Sequence, residues 1–133
     1  MENKNVRTFS VKIAETSADF SIEDRIRIKD TRDSVSLEKI SRDGAKVLEI
    51  CAYAVLNVHN ERSEDKDYKQ YVFIDKDGNK YMTGSTPFFN SFLEIWEELD
   101  DAEIPTDCRK FKIYQLPSKN YTGRNFVTCS YVK

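Results

Sequence analysis

Apolar and polar residues alternate along much of this chain, with the period of two that places successive side chains on opposite faces of a β-strand. The alternation is clear in Val6–Ile13 and again in Phe20–Asp30, where Ile22, Ile26 and Ile28 share one parity. These two segments are therefore predicted to be N-terminal strands that cover an open edge of the main sheet.

Residues 45–60 form a longer alternating segment, which follows an Asp-Gly pair typical of tight turns. The even-numbered residues from Leu48 to Val58 are all apolar, whereas the odd-numbered ones, including Tyr53, mix polar and apolar types. The pattern predicts a long strand with one face on the core and one half-polar face.

Two further strands are predicted around a hairpin. Tyr68–Asp75 is the first, and the short segment 80–84 follows the turn signal Asp77-Gly78. The same acidic run has some likeness to an EF-hand calcium loop, but its glycine comes too early and no Glu stands at position twelve. The pattern therefore favours the hairpin.

The clearest helix is predicted over Thr86–Leu99, where large apolar residues recur at helical spacing behind a capping Thr86 and Pro87. Two more strands are predicted in residues 108–116 and 124–132, joined by a polar loop. From residue 45 onward the order is strand, strand, strand, helix, strand, strand, which is the order of an OB-fold.

The predicted fold is therefore mainly β: a five-stranded OB-fold-like barrel over residues 45–133, with one helix between its third and fourth strands. Residues 1–44 would supply the extra N-terminal strands and the connection. A chain of 133 residues suits one domain.

Charge is segregated along the chain although the net charge is only −2. Residues 61–107 contain five basic and thirteen acidic residues, whereas residues 108–133 contain six basic residues and no acid. A basic face can therefore coexist with an acidic body, unless the acidic segment lies over the basic strands.

No enzymatic motif is present, and the single candidate base, His59, has no recognisable nucleophile or other partner near it in the sequence, so the chain is not expected to be an enzyme. The three Cys include no C-x-x-C pair, so no metal or other cofactor is expected. No apolar run approaches 18 residues and the N-terminus is polar, which predicts an intracellular protein without membrane association.

The acid-free C-terminal segment combines cations with aromatic rings, the two groups that hold a single nucleic-acid strand. Strand parity places Lys112 and Tyr114 on one face, while Lys119, Tyr121 and Arg124 lie in or beside the connecting loop. This segment is therefore predicted to form one wall of a groove for single-stranded nucleic acid.

The chain also resembles the small single-stranded DNA-binding proteins of protein-primed Bacillus podophages and their relatives in phages of Gram-positive bacteria. The matching stretches are "MENKNV", "SLEKISRDGAKVLEICAYA", "FIDKDGNKY" and "FKIYQLPSKNYTGRNF", in that order. The resemblance implies an OB-like protein that coats displaced strands during phage DNA replication in the cytoplasm of the bacterial host.

The resemblance further implies that tyrosines stack on bases, with Tyr81 matching by position and Tyr53 and Tyr68 as further candidates. Its partners would be single-stranded DNA and phage replication proteins, with the oligomeric state left open between monomer and dimer. The competing hypothesis is a small phage protein that binds and inhibits or redirects a host protein through the acidic face of residues 61–107.

Overall fold

The computed structural model describes residues 8–120 and 122–133, with the backbone alone at Cys108. Three α-helices are found in this part of the chain: α1 (Ile22–Lys29), α2 (Leu37–Ile40) and α3 (Thr86–Asp101). The strands are β1 (Phe9–Thr16), β2 (Val35–Ser36), β3 (Lys46–Asn60), β4 (Asp67–Asp75), β5 (Lys80–Thr83), β6 (Lys110–Pro117) and β7 (Asn125–Val132).

The strands form one curled, open sheet that makes a half-barrel, in the order β2-β5-β4-β3-β6-β7. All neighbours are antiparallel except β2 and β5. β3 pairs with β4 along one edge, and its other edge is shared by β6 at residues 46–49 and β1 at residues 54–60. The mainly-β class and the predicted order of elements from residue 45 are confirmed.

A β-bulge at Cys51 divides β3. Ile50 pairs with Asp75 and Ala52 pairs with Ile74, so two steps on β3 correspond to one on β4. The extra residue exchanges the two faces of the strand. Before the bulge the even-numbered Ile50 lies in the core under α3, whereas after it the odd-numbered Val55 does. The single core face predicted for residues 48–58 is therefore wrong.

The sheet buries apolar side chains on both faces. On one face α3 packs five residues against the strands: Phe88, Phe89, Phe92, Trp96 and Leu99. On the other face a smaller cluster gathers around Ile28 of α1, with Ala54, Leu56, Val58 and Val72. α3 confirms the predicted helix, although its capping side chain is Ser85, which accepts a hydrogen bond from the Phe88 N–H at 3.1 Å.

The predicted hairpin between β4 and β5 is also confirmed. The Asp75 carboxylate accepts hydrogen bonds from the backbone N–H groups of Asp77 and Asn79, at 2.9 and 2.8 Å. Gly78 has a φ of 85°, which only glycine adopts without strain.

The N-terminal prediction is half right. β1 is a strand on the edge of β3, as expected, while Val6 and Arg7 of the predicted strand lie outside the described residues. The segment predicted as a second strand, Phe20–Asp30, instead contains helix α1. Ser21 caps this helix by accepting a hydrogen bond from the Asp24 N–H at 3.1 Å.

No strand pairing joins β5 to β7 within the described residues, so the sheet does not close as an OB barrel does. The short helix α2 instead connects β5 to the strand pair β6–β7. The Glu38 carboxylate accepts a hydrogen bond from the Thr83 hydroxyl on β5 at 2.7 Å, and the Glu38 backbone carbonyl accepts one from the Gln115 side-chain amide on β6 at 2.9 Å. None of the helices described has the length and apolar character needed to span a bilayer.

Candidate nucleic-acid interface

The strands β6 and β7 present two chemically different faces. Phe111 and Ile113 are fully buried under α3, with the Phe111 ring centroid 4.8 Å from that of Phe92. Alternation along the strand therefore turns Lys110, Lys112 and Tyr114 to the opposite side. We call this side the outer basic face, and its β7 residues are Phe126, Thr128 and Ser130.

Lys112 and Tyr114 meet on the outer basic face as predicted from strand parity. The Lys112 ammonium lies 5.4 Å from the centroid of the Tyr114 ring, in cation–π contact. Lys112 is exposed and Tyr114 is half-buried, so both remain reachable from solvent. A phosphate and an adjacent base can therefore be contacted by neighbouring side chains.

Towards the β6–β7 loop the outer basic face becomes apolar. Leu116 and Phe126 lie opposite each other in the register and remain 41% and 45% exposed. They line a groove of about 570 Å³ with Pro87, Lys119 and four other residues, Ser85, Pro117, Ser118 and Asn120. Phe126 adds an exposed ring that was not among the predicted site residues; its strand parity, opposite to that of the apolar Val127 and Cys129, is the sequence signal that indicates this face.

The predicted loop residues lie beside this groove. Lys119 is exposed and lines it, and Arg124 is exposed at the far side of the loop. The Arg124 carbonyl accepts a hydrogen bond from the Ser118 N–H at 2.8 Å, which closes the loop. Tyr121, the remaining predicted loop residue, lies outside the described residues.

Tyr53 lies on the α3 side of the sheet because the bulge at Cys51 exchanges the faces of β3. Its ring makes edge-to-face contacts with Phe89, Phe92 and Trp96, with centroids 5.4, 5.8 and 5.6 Å away. Burial raises the pKa of its phenol. The side chain therefore contributes to core packing.

Tyr81 is also half-buried on the core side, where it packs against the cluster under α3. Its hydroxyl donates a hydrogen bond to the Asp75 carboxylate at 3.4 Å, and burial raises its pKa. The structure thus brings Lys112 and Tyr114 into contact and places Lys119 in the groove at the loop end of the same face, whereas Tyr53 and Tyr81 lie on the core side. A DNA-binding role for these two tyrosines stays a prediction.

The acids of α3 and the lysines of β6 lie on opposite sides of the sheet. The exposed acids Glu94, Glu97 and Glu98 lie on α3, on the side opposite the outer basic face. An ion pair joins the two segments: buried Arg109 contacts the Asp100 carboxylate at 2.8 Å and lies 4.3 Å above the Trp96 ring. Within the described residues Lys110, Lys112 and Lys119 make no ion pair, so their charge is available to a ligand.

Within the described ranges, no group of three His, Cys, Asp or Glu side chains is arranged to hold a metal ion. Comparison of the chain with protein-family models, with curated proteins and with solved structures finds no match. The indications of function are therefore the charges and exposed side chains on the surfaces of the chain itself.

Proposed function

We propose that this protein binds single-stranded DNA along the outer basic face and coats displaced strands during phage DNA replication. The half-barrel would act as an OB-like scaffold, with a helix between its third and fourth main strands. The sequence resemblance described above supports the phage context, and the structure supports an exposed surface of suitable chemistry.

The observation that carries the proposal is the contact between the Lys112 ammonium and the Tyr114 ring on an exposed sheet face. An ammonium suits a phosphate, and the ring beside it offers a surface for base stacking. Phe126 continues the aromatic surface, and Lys119 and Arg124 extend the positive charge to the loop. Little base selectivity is expected, since stacking accepts any base.

The salt dependence of binding tests this proposal. Each phosphate contact on a single strand contributes about 0.7 to the slope of log affinity against log salt. The variant K112Q/K119Q/R124Q should therefore flatten the slope by about two units in anisotropy titrations of labelled oligo-dT. Duplex DNA of the same length should bind more weakly than oligo-dT to the unmodified protein.

A matched variant, R25Q/K29Q/K39Q, removes three exposed cations outside this face. It should leave the slope within about half a unit of the unmodified value. An equal slope in both variants would show that the outer basic face does not contact phosphates, and the proposal would fail.

A second candidate function is favoured by one feature of α3. Its last turn contains Glu98, Asp100 and Asp101 and no basic residue, an arrangement that the helix dipole disfavours. Asp100 is compensated by Arg109, whereas Glu98 and Asp101 form no ion pair with any of the residues that the structure describes. An acidic surface kept at a cost to helix stability suits a basic protein partner, such as a host protein that the chain inhibits or redirects.

A further inference from the structure

A second basic feature lies on the α3 side of the sheet, at the end of β3 that is distant from β6. Lys12 of β1 and Lys69 of β4 both stand opposite Asn57 of β3 in the antiparallel register. The three side chains therefore form one row across three adjacent strands. None of them belongs to the outer basic face.

The side chains of this row are exposed because α3, which covers the neighbouring part of the same sheet face, does not extend over them. One step closer to the core, Val55 and Tyr71 are buried, with the Tyr71 ring stacked on Phe89 at 4.4 Å. The Tyr71 hydroxyl and the Thr86 hydroxyl share a hydrogen bond of 2.9 Å at the start of the helix. Beyond this point none of the described residues covers this face of the sheet, which forms a groove of about 540 Å³.

In the part of the chain that the structure describes, neither Lys12 nor Lys69 forms an ion pair, whereas Lys66, Lys76 and Lys80 each pair with a carboxylate. Strands two apart in a sheet are separated by roughly 10 Å, which two lysine side chains can span to meet at one anion.

The acid that lines this groove, Asp67, is already engaged. Its carboxylate lies 2.7 Å from Nδ1 of His59, and Nε2 of the same ring contacts Glu61. A ring with a carboxylate at each nitrogen is stabilised as the imidazolium, because both nitrogens must then donate. The charge of Asp67 is thereby offset, and it opposes an anion at the lysines less than a free carboxylate would.

We propose that the row of Lys12, Asn57 and Lys69 is a second phosphate-binding site. Two ammonium groups and an amide provide several N–H donors to phosphate oxygens, and charge-assisted hydrogen bonds of this kind are the stronger ones. The groove is in the size range of small-ligand sites. Its phosphates come either from the backbone of a nucleic-acid strand or from a free polyphosphate such as a nucleotide tail.

The test is a titration followed by ¹⁵N NMR at low salt, with sodium tripolyphosphate as one probe and oligo-dT as the other. Tripolyphosphate should shift the amide signals of residues 12, 57 and 69 in the unmodified protein. The variant K12Q/K69Q should lose about tenfold in tripolyphosphate affinity. The variant K29Q/K39Q, which removes two exposed lysines elsewhere, should bind it as the unmodified protein does.

The two phosphate sources give different results with oligo-dT. If the site holds a nucleic-acid backbone, oligo-dT shifts the same amides, and K12Q/K69Q weakens its binding even when Lys112, Lys119 and Arg124 are intact. If the site holds a free polyphosphate, oligo-dT leaves these signals unchanged. Tripolyphosphate binding that is equal in K12Q/K69Q and the unmodified protein, or absent from both, would overturn the proposal. Neither outcome depends on the outer basic face.

Discussion

At the scale of single residues, the aromatic side chains of this protein divide into two groups that the sequence does not separate. Tyr53 is surrounded by three rings of α3, whereas Tyr114 lies on an exposed face beside Lys112. Both occupy a strand position of mixed polarity, so alternation alone assigns each to a face that a ligand can reach. The bulge at Cys51, which no turn residue marks, decides the difference.

Substitution of these two tyrosines should therefore give opposite results. Tyr114→Ala should weaken oligo-dT binding by about 1–3 kcal/mol with little change in melting temperature, because an exposed stacking surface is lost. Tyr53→Ala should lower the free energy of unfolding by about 2–4 kcal/mol, because it leaves a cavity among three rings. Thermal melts and anisotropy titrations on both variants measure this contrast. A Tyr53→Ala protein with unchanged stability and weakened DNA binding would contradict it.

At the scale of elements, the parts of the fold marked by strong local signals were predictable. The hairpin had its Asp-Gly pair, and α3 had a long apolar repeat behind a capping residue. The sequence does not distinguish helix α1 from a strand by its isoleucines. Ile22, Ile26 and Ile28 all fit one face of a strand, but Ile22 and Ile26 are four residues apart and fit one face of a helix equally well. The signal that identifies α1 is Ser21, with Glu23 and Asp24 in the first turn and basic residues in the last.

The helical form of α1 makes a specific prediction for its isoleucines. A strand would bury Ile26 and Ile28 alike, whereas the helix buries only Ile28, at 1% exposure, and leaves Ile26 62% exposed. Ile28→Ala should therefore lower the free energy of unfolding by about 2–4 kcal/mol. Ile26→Ala, the matched control, should change it by about 0.5 kcal/mol or less. Urea unfolding curves that show equal losses for both would argue for the strand.

At the scale of the whole molecule, the acids of α3 and the lysines of the outer basic face lie on opposite sides of one sheet. Lys110, Lys112 and Tyr114 lie on the side of β6 opposite the core under α3, and the apolar end of the outer basic face reaches the first turn of the helix at Pro87. The ion pair between Arg109 and Asp100 connects the two segments beside the buried Trp96. The sequence showed this segregation as composition but did not show whether the acidic segment covers the basic strands. Whether the acids cover the lysines depends on which face of β6 packs against α3. Alternation within one strand separates its two faces but does not show which of them the helix covers.

This separation predicts that the acids of α3 and the bound strand act independently. The variant E94Q/E98Q/D101N removes three exposed acids and leaves Asp100 with Arg109. Its melting temperature should rise slightly, since Glu98 and Asp101 oppose the helix dipole by about 0.3–1 kcal/mol each. Oligo-dT affinity should stay equal or increase, and its salt slope should not change, because these acids lie on α3 and are not expected to contact the phosphates that the lysines of β6 bind. A marked loss of oligo-dT affinity would show that the strand passes over the helix, and the interface would have to be moved from the outer basic face to the α3 side of the sheet.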